Sequence, residues 1–320
     1  MKLKHTLLAA CIAATSLGAY VATAHAAAPL VKTQAPGYYR TMLGDFEITA
    51  LSDGTVGLPV DTLLKGISHR NLKKALDHHH LPLPVETSVN GFLVNTGDKL
   101  VLIDTGAGAL FGPTLGKLLT NLKAAGYQPE QVDEIIITHL HPDHVGGLAV
   151  NGQRVFPNAM VRAEQEDADY WLSADNLAQA PEESKGFFQG AQAMLKPYVD
   201  AGMFKPFSGD TDLLPGIRAQ VTHAHTPGHS TIAVESKGQR LLIIGDLIHV
   251  AAVQFDHPKV SIGFDSDNKN AVKQRIKVFN KIAKNGDLTA AAHLSFPGLG
   301  HIRKTAIGYE WLPLNYQSAP

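Results

Sequence analysis

The chain has 320 residues, with 28 Lys and Arg against 29 Asp and Glu and a formal net charge of −1. At 44% hydrophobic and 18% charged residues, it has a globular composition and enough length for a sizeable core. There is no basic surplus to suit a nucleic acid and no acidic tail to suit a basic partner.

The N-terminus reads as a targeting segment. Lys2 and Lys4 precede an apolar stretch from Leu7 to Val21, and Ala24-His25-Ala26 has the small-residue form of a cleavage site. This predicts a secretory signal peptide over residues 1–26 and export to the periplasm or beyond. The apolar run is too short for a stable membrane anchor. Cys11, the single cysteine, lies inside this segment, so the mature chain has no thiol and no disulfide.

Residues 27–39 read as an exposed lead-in. Residues 46–51 alternate like a strand and end at the turn signal Ser52-Asp53-Gly54. A short helix is expected over 72–76, running into the solvated triplet His78-His79-His80. Residues 89–94 and 100–103 form a strand pair around Thr96-Gly97-Asp98. Leu115, Leu118, Leu119 and Leu122 give helical spacing over 114–125. Ile135-Ile136-Ile137 reads as a buried strand, and 163–201 as mostly helical. Strands return at 217–221, 231–234 and 240–244, before an amphipathic helix over 272–282. No linker interrupts the pattern, so residues 27–320 read as one α/β domain.

The most informative run is Thr138-His139-Leu140-His141-Pro142-Asp143-His144-Val145-Gly146-Gly147. Imidazole and carboxylate are ligands that zinc and its neighbours accept. His139 and His141 lie two apart, so they share a face of an extended segment. Pro142 keeps His141 out of the helical region, and Asp143 is a good residue to cap a following turn. One ion cannot easily take all four side chains from so short a run; two ions, each taking one pair, can. A polar loop rich in histidine is the bland alternative, but solvated loops rarely set four ligand types behind a strand. Further ligand candidates stand at strand ends or tight turns: His225 in His-Thr-Pro-Gly-His-Ser, Asp246 after Leu242-Ile243-Ile244, and His293 after Ala290-Ala291-Ala292.

Together these motifs resemble the metallo-β-lactamase superfamily. Tyr38-Tyr39-Arg40, the run from Gly44 to Gly54, Phe111 to Gly116 and Leu294 to Gly298 are similar to its methyl parathion hydrolase-like subfamily. The resemblance implies an αββα four-layer sandwich of two mixed β-sheets with two divalent metal ions in the groove between them. Zinc is the default, and manganese, cobalt or iron suit the same ligands. It assigns His139, His141 and His225 to one ion, Asp143, His144 and His293 to the other, and Asp246 to both. His229 would orient a ligand, and Asp104 would do the same or cap a turn. His223 reads as a strand residue. Phe111, Trp171 and Phe188 would line the substrate pocket, with Ile262 and Phe264 on the opposite wall.

The implied activity is hydrolysis of a small-molecule ester by a hydroxide shared between the ions. Organophosphate triesters such as methyl parathion are the first substrate class. The alternative is a lactonase or arylesterase with incidental triester turnover. His249 keeps that alternative open, because related lactonases place a tyrosine there and the methyl parathion hydrolases an aliphatic residue. A histidine would donate a proton to the leaving group or simply narrow the pocket. A β-lactamase is disfavoured by Asp246, and a purely binding protein by the expected aromatic pocket. A homodimer is common in the resembling family.

Overall fold

The structure, a computed structural model, describes residues 28–318. The export segment read over residues 1–26 lies outside the described residues. Residues 28–35 contain no helix or strand and are exposed. No described helix is long and apolar enough to cross a membrane.

From Pro36 onward the chain builds two large mixed sheets. The first runs Tyr38–Leu43, Phe46–Leu58, Val85–Asn95, Leu100–Ile103, Glu134–Ile136, Met160–Arg162 across its width. Its last two pairings are parallel and the rest antiparallel. The second runs Thr211–Leu214, Ile217–Val221, Ser230–Ser236, Gln239–Ile243, Leu288–Ala290, Leu299–Lys304, Tyr309–Pro313. Only the Gln239–Ile243 and Leu288–Ala290 pair is parallel there.

Side-chain alternation along the strands assigns the layers. Val101 and Ile103 face inward and join Ile232, Val234, Leu241 and Ile243 of the other sheet in one core. Leu100 and Leu102 point the other way, into a core shared with Leu122, Phe188 and Leu195 from helices. Leu242 and Ile244 pack outward against Phe279 and Ile282 of the Asn268–Asn285 helix. Helix, sheet, sheet and helix therefore stack as four layers, the αββα order.

Three local readings differ from the structure. The signal Ser52-Asp53-Gly54 does not end a strand: the Phe46–Leu58 strand runs through it with a bulge. Gly54 has φ +128, and a side chain there would meet Thr114 O at 2.1 Å. Asp53 accepts hydrogen bonds from the Ala107, Gly116 and Leu118 amides. Those same bonds hold residues 114–117 out of the helix, which covers only Leu118–Ala124. The mostly helical reading of 163–201 holds, as three helices, Gln165–Trp171, Ala174–Gln179 and Glu182–Asp200. His223 lies in a loop with φ +46, beyond the Ile217–Val221 strand.

Candidate metal centre

Every candidate ligand stands just past a strand, at the carboxyl edge where open α/β sheets bind ligands. Glu134–Ile136 leads into His139 and His141. His141 is extended (ψ 150) and caps the short helix Pro142–Val145, with Pro142 in its first turn. The cap is thus His141 rather than Asp143, which sits inside the turn beside His144. Gly146 and Gly147 let this turn press on a neighbouring loop. A Cβ at either would lie 2.0 Å from Ala107 O or 2.1 Å from Thr105 O. His225 follows Ile217–Val221, Asp246 follows Gln239–Ile243, and His293 follows Leu288–Ala290.

These seven side chains meet as two groups. His139, His141, His225 and Asp246 form one; Asp143, His144, His293 and Asp246 form the other. Within each group the donor atoms lie within 4.8 Å of one another. Asp246 belongs to both. Its Oδ2 is 3.1 Å from His293 Nε2, 3.5 Å from His225 Nε2 and 3.6 Å from His139 Nε2. Its Oδ1 is 3.2 Å from His144 Nε2. His139 Nε2, His144 Nε2 and Asp246 Oδ1 are buried with no hydrogen-bond partner. Orphaned, converging lone pairs are costly in a protein interior unless a cation takes them. The donor set therefore fits two divalent ions with Asp246 shared.

The rings are oriented from behind, as metal-binding imidazoles usually are. Asp104 Oδ2 lies 2.9 Å from His144 Nδ1 and also accepts from the Thr138 hydroxyl. Asp265 Oδ1 lies 2.8 Å from His225 Nδ1. The Ser88 carbonyl lies 3.0 Å from His293 Nδ1. His229 uses both ring nitrogens elsewhere: Nδ1 lies 2.7 Å from Thr222 Oγ1, and Nε2 accepts the Asp246 backbone N–H at 3.0 Å. It holds Asp246 in place and has no lone pair left for an ion.

Burial is the dominant influence on the first group's imidazoles. It drives His139, His141 and His225 well below the usual histidine range, aided by their histidine neighbours and opposed by Asp246. Neutral imidazole is the form that binds metal. His144 and His293 are also buried, but Asp246 and Asp143 pull the other way. His144 lies well above the usual range and His293 is raised to about 8. For Asp246, burial opposes ionisation but His293, His144 and His139 outweigh it and hold its carboxyl well down.

A cavity of about 280 Å³ opens on the centre at His141, Asp143, Asp246 and His293, with Phe111, Phe187, Phe264 and His249 among its walls. His249 Nε2 is 3.1 Å from Asp246 Oδ2, and its ring stacks on His293 at 5.0 Å. A second cavity of about 660 Å³ shares His141, Phe187 and Phe264, and its walls include Trp171 and Phe188. Of the aromatic pocket candidates, Phe111 and Phe264 line the first cavity, whereas Trp171 and Phe188 line the second. Ile262 lines neither: it is fully buried among Val250, Val253 and Val260. Phe187, edge-on to His141 at 5.0 Å, is a pocket residue that the sequence does not single out as one, as are Val56, Leu58, Val89 and Leu115. Apolar side chains of this kind carry no sequence mark that separates pocket wall from core.

The family model for the metallo-beta-lactamase superfamily matches residues 84–293, which include all seven ligand candidates. The chain belongs to the metallo-beta-lactamase superfamily. Among solved structures of this superfamily, the hydrolase AbOPH is 41% identical, with a TM-score of 0.85 over 89% of this chain and 100% of its own. AidC, a dizinc quorum-quenching lactonase crystallised with a product, is 28% identical, with a TM-score of 0.81 over 88% of this chain and 99% of its own. An N-acyl homoserine lactonase of Bacillus cereus is 28% identical over 165 residues, or 50% of this chain. That match spans 56% of the Bacillus cereus protein's length. The superfamily fold, the two-group donor set and these relatives make the chain a metal-dependent hydrolase.

Proposed function

We propose that the protein hydrolyses carboxylic esters, lactones and aryl esters first among them, with two ions at the paired groups. Zinc is the expected metal, and manganese, cobalt or iron would accept the same ligands. The observation that carries the reading is the small apolar cavity directly over Asp143, Asp246 and His293. Two divalent ions there would activate water and polarise the ester oxygen.

The chain's own residues do the rest. Phe111, Phe187 and Phe264 hold the apolar arm of the substrate and exclude bulk water. His249 sets its Nε2 3.1 Å from Asp246 Oδ2 and presents the polar ring of that wall beside the reacting ester. A polar ring suits an alkoxide leaving group better than an aliphatic side chain would. The lactonase relatives support the same substrate class.

Organophosphate triesters such as methyl parathion are the second reading. The larger cavity beyond Phe187 and Phe264 favours it, because it gives a third ester arm somewhere to go. Export through residues 1–26 and assembly as a homodimer belong to the same proposal. N-terminal sequencing of the secreted protein and light scattering in solution test those two points.

The first test is proton release from a panel of lactones and aryl esters. Turnover should vanish on chelation and return with divalent metal. Absence of turnover in protein carrying two ions per chain would reject the carboxylic ester reading.

A further inference from the structure

Beyond the ligands, one buried acid holds two ligand-bearing segments to each other. Asp167 lies in the Gln165–Trp171 helix and is completely buried. Its Oδ2 accepts the backbone N–H of Leu140 at 2.8 Å and the Thr226 hydroxyl at 3.0 Å. Its Oδ1 accepts the backbone N–H of Gly228 at 2.6 Å. Leu140 stands between His139 and His141, and Thr226 follows His225. One carboxylate thus ties together the two segments that supply every histidine of the first metal group. No lysine or arginine forms an ion pair with it within 4.0 Å among the described residues.

The contact is built tightly. A side chain at Gly228 would lie 2.5 Å from Asp167 N and 2.8 Å from Glu164 Oε2, so the loop sits directly on the first helical turn. Glu166, on the same turn, reaches His223 in that loop at 3.1 Å. The placement is unfavourable for the acid itself: burial pushes its pKa up to about 6, against the lowering effect of its three hydrogen bonds. Neither Asp143, His144 nor His293 is tied to this residue. The second group is held instead through Asp104 and Ser88.

We propose that Asp167 is a positioning residue that locks the His139–His141 segment against the His225 loop and so sets the metal affinity of the first group alone. The inference rests on the two-group metal centre above. Replacing Asp167 with asparagine keeps the shape but turns an acceptor into a donor facing the same amide and hydroxyl donors. The first group then relaxes, and its affinity falls by roughly 10- to 100-fold, the usual scale for outer contacts of metal ligands.

The test is Co²⁺ titration of metal-free full-length protein, with competition by a chelator. The unaltered protein must first take up two ions; uptake of one or none would overturn the metal centre rather than the clamp. Asp167→Asn is then measured in an Asp143→Asn background, which leaves the first group, and in a His141→Ala background, which leaves the second. Weaker binding in the first background only, with an altered Co²⁺ absorption band, supports the proposal. Unchanged binding in both backgrounds, or equal loss in both, overturns it. Thr226→Val removes one of the three hydrogen bonds without changing shape. It should give a smaller loss of the same kind, so the proposal can be tested even if Asp167→Asn fails to fold.

Discussion

His229→Ala gives a prediction whose size can be worked from contacts. The imidazole is fully buried and accepts the backbone N–H of Asp246 at 3.0 Å. Burial lowers its own pKa to about 3, so Nε2 is a permanent acceptor. Removing it leaves a buried amide N–H without a partner, at a cost of about 1–3 kcal/mol. The space vacated by the ring adds roughly 1–2 kcal/mol at about 24 cal/mol per Å³ of residual cavity. The expected loss is therefore about 2–5 kcal/mol, a fall in Tm of roughly 3–8 °C for a domain of this size. The other partner loses little, because the Thr222 hydroxyl keeps the His229 carbonyl as acceptor. His229→Gln restores an acceptor near the Nε2 position and most of the volume, and should cost less than about 1.5 kcal/mol. Thermal and urea unfolding of the metal-free proteins measures both. An alanine variant as stable as the parent, or a glutamine variant as costly as alanine, would refute this account of how Asp246 is held.

Other outcomes follow from the same geometry. Asp246→Asn removes the ligand common to both groups and should lower kcat by about 10²-fold or more, with metal content falling below two; full activity would contradict the shared role. Saturating the two groups should raise stability by about 4 kcal/mol per ion at a thousandfold excess over Kd, read as a chelator-dependent drop in Tm. Asp167 is raised from 3.8 to about 6 by burial, so between those values the folded protein holds a proton that the unfolded chain releases. Its contribution therefore increases stability as pH falls from about 6 toward 4, by up to ~3 kcal/mol. The stability difference between the parent and Asp167→Asn across pH 4–7 should show that slope, and a flat difference would deny it. Phe187→Ala should raise KM about tenfold for esters with an apolar acyl arm while leaving kcat within a few-fold; an unchanged KM would remove Phe187 from the pocket.

The ligands were legible because their signal is local. Four of the seven donors fall in the run from His139 to His144, behind a strand that apolar periodicity locates unaided. His225, Asp246 and His293 each follow a strand as well, but their grouping came from resemblance, since no spacing links residues so far apart. The bulge at Ser52-Asp53-Gly54 was misread because glycine marks turns and bulges alike. Only the amides of Ala107, Gly116 and Leu118, brought in by the fold, decide between them. Phe187 and Phe188 show the limit for pocket walls. As neighbours on one helix they point about 100° apart, so Phe187 lines both cavities, whereas Phe188 reaches only the larger one and packs against Trp171 at 4.6 Å. Asp167 left no trace either: its three partners come from two segments, and nothing in its neighbourhood in the chain announces them.

The central claim is that a two-ion centre under a small apolar cavity works on carboxylic esters. It is tested most directly by kcat/KM for lactones and aryl esters beside methyl parathion, on one preparation whose metal content is known. The account predicts a clear lactone or aryl ester advantage in protein carrying two ions per chain. A triester advantage in that same preparation would contradict it and make organophosphate hydrolysis the main activity.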